Sequence, residues 1–443
     1  MYWMLIPLLL APPPPSRNAH QDLAAALAAG DLAKSQSALE QVTRREPGNA
    51  RAWMLLAQSY ARQKKAAAAG TAADKAGRLG QNDAEVQQGL AYLFIELQPD
   101  LKKATSFAAR YAELRPAEWE AWQRLASLYL ETGRPDEAIA AGTRALALSH
   151  SAELHTIVGQ ACVARKDWQN AGQHLSEAVR LSPYDEDTHF RLAQMYMLRQ
   201  DFPKAVEVLL NARGTFDKSA QIELALGVCY YGLRRFPEAV DQFLKTIGLA
   251  PAVPQPYAFL SRILEHAGDR LGEAAQRFAE FNAAHPKDAM GYLWHAKALV
   301  AQLGPSGESA ETERALDLLK KSLTLDANIA EAHYQTGCLL ERKLDYAGAA
   351  NELERSIALN PKEPGAHFHL SRVYDRLGKK EQAARERELH EKLTEAESTA
   401  PLTEPRPYGS GCIPGNMLFQ DNRERVVETA PSRSRLRSRG AGA

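Results

Sequence analysis

The chain has little of what a disulfide scaffold, a metal centre or a nucleotide-dependent enzyme would need. Its 443 residues include four cysteines, Cys162, Cys229, Cys338 and Cys412. No CxxC pair and no Cys/His cluster has metal-ligand spacing, which excludes zinc fingers and ribbons. A Gly-rich phosphate loop, GxSxG, HExxH and the Rossmann fingerprint are all missing. Acids are plentiful but scattered, the pattern of solvated helix faces. We therefore expect no catalytic residue, no cofactor and no metal, and so no enzyme. Net charge is missing too: 54 basic side chains balance 54 acidic ones. No global field draws the chain to nucleic acid or membrane, and DNA is not an expected partner. Aromatics are only 7% of residues, and no segment alternates as a strand would.

Long apolar runs are absent as well. Residues 2–11 form one that is too short to cross a bilayer, so no transmembrane span is expected. Its length suits the h-region of a secretory signal. Against that, no Lys or Arg precedes it, Pro7 interrupts it, and Pro12 to Pro15 follow. The localisation reading leans to export, periplasmic or envelope-associated, over cytoplasm. At the other end, residues 394–443 are dominated by Ser, Thr, Pro, Gly and Arg, the composition of a disordered tail. Arg433, Arg435, Arg437 and Arg439 there follow the last acid, Glu428. Such a tail could touch RNA or an acidic surface, but a solvated tail is the simpler reading.

Between these ends, over residues 16–393, runs a period of about 34 residues. Each copy opens with apolar or small residues at intervals of three, one and three, as in Trp53, Leu56, Ala57, Tyr60 and Trp122, Leu125, Ala126, Tyr129. A short polar turn follows. A second stretch then places small, large and small residues at intervals of four and three, as in Ala171, Leu175, Ala178 and Ala205, Leu209, Ala212. Prolines often close the copy, and Pro183 and Pro251 stand 68 residues apart, two periods. Intervals of three and four put these residues on one stripe of a helix. A two-helix hairpin cannot bury such a stripe alone, so neighbouring copies must cover it. Ala69, Ala138, Ala171, Ala205, Ala239, Ala274, Ala315, Ala349 and Ala383 share one slot of the second helix. A larger side chain there would hold two helices apart.

The pattern resembles the tetratricopeptide repeat, a helix-turn-helix unit of 34 residues, in about eleven tandem copies. The resemblance implies an all-α fold, a right-handed superhelical solenoid of such repeats followed by the disordered tail. It also implies a scaffold or adaptor that holds a protein or peptide segment along the concave face of the superhelix. Alternatives are an accessory subunit that presents substrate to an enzyme, and RNA or acidic-surface binding through the Arg-rich tail. Three domains are expected: an apolar, Pro-rich segment over 1–15, the array over 16–393, and the tail. Residues 303–309 read as a loop inserted between the two helices of one copy. Gln87 stands where an aromatic is common, with Gln98, Pro99 and Asp100 as the turn of its copy.

Four histidines, His155, His189, His333 and His367, fill the first-helix slot of Trp53 and Trp122. Repeat phase accounts for that series, and packing is the expected role. Cys162, Cys229 and Cys338 read as small core residues. The candidate binding face lies beside the core stripe, at positions that in the family line the concave side. Its most apolar part names Phe190, Met197, Leu224, Val228 and Tyr231, with Arg191 and Gln194 to orient polar groups of a partner. Truncating the stripe residues Leu192, Tyr196 or Leu226 should cost about 2–5 kcal/mol, and truncating the face under about 1 kcal/mol. The carboxylate clamp of co-chaperone members needs Asn in slots that here hold Leu55, Arg124, Ile157, Arg191, Ala225, Gln335 and His369. Chaperone-tail binding is not expected.

Overall fold

The computed structural model describes residues 32–303 and 310–399, and among them every regular element is a helix. The chain divides between Asp217 and Lys218 into two compact units. The first unit opens with α1 (Leu32–Arg45) and continues as five hairpins. These are α2 (Ala50–Arg62) with α3 (Ala66–Leu79), α4 (Ala84–Tyr92) with α5 (Leu101–Leu114), α6 (Trp119–Glu131) with α7 (Pro135–Leu146), α8 (Ala152–Ala164) with α9 (Trp168–Leu181), and α10 (Glu186–Leu198) with α11 (Phe202–Arg213). The second unit pairs α12 (Ala220–Gly232) with α13 (Phe236–Leu249), α16 (Ala289–Gln302) with α17 (Ala310–Leu325), α18 (Ala330–Arg342) with α19 (Tyr346–Leu359), and α20 (Pro364–Arg376) with α21 (Lys380–Thr399), while the short α14 (Gln255–Leu260) touches α15 (Leu271–Ala284) through the Tyr257 ring against Phe278 and Phe281. The last helix thus continues past residue 393, where the periodicity ends. The first-copy residues before 32, the inserted residues 304–309 and the tail from 400 lie outside the described residues, as do the signal-like start and its Arg-rich counterpart.

Short polar side chains start the helices. The Asn49 side chain accepts from Ala52 N at 3.0 Å, Ser151 Oγ from Leu154 N at 3.2 Å and Ser219 Oγ from Ile222 N at 3.0 Å. Each satisfies an N–H that has no partner within its own helix. Between the two helices of a hairpin the chain turns through one residue at positive φ. Gly133 and Gly378 take that place in two copies, but Lys64, Lys166, Gln200, Arg234 and Leu344 take it in five others. The next N–H closes a bond back to the first helix, as from Asp167 N to Cys162 O at 2.9 Å and Asp345 N to Leu340 O at 3.0 Å.

The nine alanines of the second-helix slot, with Ala104 added, are all fully buried. Helices also approach closely at Gly142, where a Cβ would stand 2.4 Å from Val158 Cγ2 of the following helix. Where spacing departs from the period, the structure absorbs it locally. Trp122 follows Gln87 by 35 positions, and a π turn over Leu93–Leu97 takes up the extra residue. Helix α14 is only six residues long and gives way to 3-10 turns at Leu264–His266 and Gly268–Arg270.

The histidine slot does more than fill space. Trp53 and Trp122 each donate an indole N–H to a carbonyl six residues back, that of Pro47 at 3.1 Å and Pro116 at 3.0 Å. His189, His333 and His367 set Nε2 against the carbonyls of Pro183, Ala327 and Pro361 at 3.0, 3.1 and 3.0 Å. A carbonyl only accepts, so each ring donates. Tyr257 and Tyr292 donate to Pro251 and Pro286 at 2.9 and 3.3 Å, and Gln87 to Gly80 at 2.8 Å. In these eight copies the slot holds a donor that ties the first helix to the turn that feeds it, whereas Glu223 puts a carboxylate there that accepts from Lys245.

Candidate functional site

Successive first helices touch one another within the first unit, α6 with α8 and α8 with α10. The face they share carries Gln123 and Ser127 from α6, Thr156, Gln160 and Val163 from α8, and Phe190, Arg191 and Gln194 from α10, all half-buried. These positions lie next to the core stripe because i, i+4 and i+7 rows run side by side on a helix. Thr156 Oγ1 is spent on Ala152 O of its own helix at 2.9 Å. Arg191 Nε is held by Asp187, one turn back, at 3.2 Å. The amides of Gln123, Gln160 and Gln194 make no hydrogen bond among the described residues. Arg124, which shares α6 with Gln123, has its basicity lowered, chiefly by burial.

The seven face residues named from the sequence do not share one environment. Phe190, Arg191, Gln194 and Met197 belong to the first unit, and Leu224, Val228 and Tyr231 to the second. Met197 and Val228 are buried, which corrects their assignment to an open face: packing takes up the end of one row and the middle of the other. Tyr231 is half-buried and packs edge-on against Phe236 and Phe259, with centroids 5.8 and 5.7 Å away. Its truncation would remove core contacts, so the small cost expected from sequence does not hold for it. In the stripe, Leu192 and Leu226 are buried as expected, whereas Tyr196 is half-buried.

In the second unit the corresponding face is closed by its own charges. Lys297 of α16 reaches Glu331 of α18 at 3.2 Å. Glu341 of α18 accepts from His369 at 2.7 Å and meets Arg372 at 3.2 Å, both on α20. Sequence spacing gave no warning of this lattice, though the signal was present: opposite charges recur about one period apart. Cys229 and Cys338 have thiols pushed up to about 12 by burial, so neither is poised as a nucleophile. Among the described residues no three His, Cys, Asp or Glu side chains could hold a metal ion, and no helix is long and apolar enough to cross a membrane.

A family model for the tetratricopeptide repeat matches residues 24–84, 103–153, 190–254 and 334–387, together more than half of the chain. No curated protein sequence matches. Among solved structures, MamA is similar at 21% identity over 39% of this chain and 93% of its own, with a TM-score of 0.35. YrrB, described as a TPR protein with an unusual peptide-binding site, is similar at 19% identity over 42% and 96%, with a TM-score of 0.35. The C-terminal part of a TPR repeat-containing protein from Cytophaga hutchinsonii is similar at 17% identity over 64% and 99%, with a TM-score of 0.43.

Proposed function

This chain belongs to the tetratricopeptide repeat family, and from that premise we propose that it is a non-catalytic scaffold whose first unit holds an extended segment of a protein partner. The observation that carries this reading is the row of half-buried, unengaged amides at Gln123, Gln160 and Gln194, with the Phe190 ring beside the last of them. A primary amide offers both a donor and an acceptor, the complement of a peptide group. Amides on consecutive helices can therefore engage an extended backbone while the ring anchors one apolar side chain. A charged partner is disfavoured, because Arg191, a charge on this face, is already held by Asp187. In the second unit the ion pairs from Lys297 to Glu331 and from Glu341 to His369 and Arg372 occupy the comparable groups, so the contact is assigned to the first.

An array of uncharged and charged ten-residue peptides, probed with the full chain, tests this. Wild type should favour uncharged sequences with one large apolar residue. The variant Gln160→Ala, Gln194→Ala, Phe190→Ala should lose at least tenfold in affinity, roughly the loss of 1–2 kcal/mol of hydrogen bonding and packing. Its helical ellipticity should be unchanged. Equal binding by this variant would remove the face from consideration.

A further inference from the structure

Two copies break the slot rule: Glu223 places a carboxylate there, paired with Lys245, and the other copy breaks it with a histidine. His155 follows Trp122 by 33 positions, one fewer than the period of 34 that then separates it from His189. The shortened turn, Ala147 to Ser151, contains no proline. No carbonyl reaches His155, and its buried Nε2 has no hydrogen-bond partner among the described residues. Instead Nδ1 of His155 faces Nδ1 of His174 at 3.0 Å, joining α8 to α9, with the ring centroids 5.2 Å apart. His150, in the shortened turn, also stacks on His155, with their centroids 6.1 Å apart.

We propose that the α8–α9 hairpin is an acid-labile joint, held by one proton shared between His155 and His174 and opened by a second. Two facing imidazole nitrogens bond only when one carries hydrogen and the other a lone pair. A further proton turns both into donors at 3.0 Å, and no acceptor lies within reach of the buried His155 ring to take up the displaced N–H. The surroundings work in the same direction. Burial, the largest influence, lowers the affinity of both rings for a further proton. On His155, His174, His150 and Arg180 also oppose it and Glu177 alone favours it. None of these groups comes from α6, α7 or α10, the other helices packed on α8.

The sign follows from linkage. Both rings sit below the ordinary imidazole value of 6.5 in the folded chain. The unfolded hairpin thus binds more protons, so stability is full above about pH 6.5 and is lost as pH falls through the depressed folded values. A solenoid transmits stability between neighbours, so loosening this hairpin also withdraws support from α10. The proposal does not depend on what the neighbouring face binds.

Amide hydrogen exchange on the full chain at pH 7.5 and pH 5.5, with rates corrected for intrinsic chemistry, reads the joint directly. Protection over residues 152–181 should fall at least about tenfold on acidification, the effect of displacing one proton equilibrium by one pH unit. Protection over 119–146 and 330–359 should stay within about twofold. The α16–α17 hairpin is not a suitable control, because burial also lowers the proton affinity of His295. His174→Gln, which keeps a donor but cannot titrate, should fold and reduce the local acid response to the part that the buried His155 ring alone contributes. His174→Glu should fold and lose it by holding the proton in place. A uniform loss across all hairpins, no loss over 152–181, or an acid response that is undiminished in both variants would overturn the proposal.

Discussion

The α8–α9 hairpin of the first unit and the α18–α19 hairpin of the second place a histidine in the same slot and join it to the residue 19 positions on, yet the two contacts make opposite demands. His155 meets His174, a contact that a second proton breaks. His333 meets Glu352 at 2.5 Å through Nδ1 while Nε2 faces the carbonyl of Ala327. A carbonyl and a carboxylate both accept, so that contact exists only with a proton between ring and acid. His367 repeats it with Glu386 at 2.6 Å and Pro361 at 3.0 Å. Two local features decide which kind of joint forms: the residue at the partner position, and whether the preceding turn is long enough to bring a carbonyl to Nε2.

The largest test of that difference is to remove each ring in turn. His333→Leu strands the Ala327 carbonyl and the Glu352 carboxylate, whose side chain is 23% exposed. Truncating one partner of such a charge-assisted pair should cost about 2–3 kcal/mol. His155→Leu removes a ring that already leaves one nitrogen bare, and should cost about 1 kcal/mol or less. Local opening free energies from hydrogen exchange would measure both, and equal losses would break the distinction. A smaller effect distinguishes two glycine positions, one crowded and one open. Gly142→Ala would push a Cβ to 2.4 Å from Val158 Cγ2 and should cost about 1–3 kcal/mol. Gly248→Ala in α13 meets nothing within 4 Å and should add about 0.4–1 kcal/mol by restricting the unfolded chain. Urea titrations followed by ellipticity would show the opposite signs.

Much of this was legible in the sequence, for identifiable reasons. The alanine slot could be read because only a small side chain fits where two helices approach, and all ten positions are buried as that requires. The third-copy turn at Gln98 to Asp100 was legible from its proline. The donor role of the histidine slot was not read, although Trp, His, Tyr and Gln share an N–H or O–H, and Glu352, Glu386 and His174 recur at one offset. A hydrophobic reading of the repeat hides a rule about hydrogen bonds. The open face was read only in part. Spacing distinguishes one helix row from the next, but it does not tell how much of a row its neighbours cover, and Met197 and Val228 are buried.

The finest comparison is between the turns of the same two hairpins. Lys166 has φ 60° and Leu344 φ 64°, the left-handed region where a Cβ crowds the following carbonyl at about 1–2 kcal/mol. Gly133 and Gly378 occupy the equivalent place without that strain. Lys166→Gly and Leu344→Gly should therefore both stabilise, by about 0.5–1 kcal/mol once the greater freedom of unfolded glycine is subtracted. Leu344 differs in being apolar and 68% exposed, so its replacement removes no buried contact and should also reduce self-association. Lys166 lies in the α8–α9 turn, so its glycine variant strengthens the hairpin without touching His155 or His174. If those rings set the acid response, Lys166→Gly should raise protection over 152–181 equally at pH 7.5 and pH 5.5, leaving the difference between them intact. A difference that shrinks in this variant would place the acid sensitivity in the turn and not in the histidine pair.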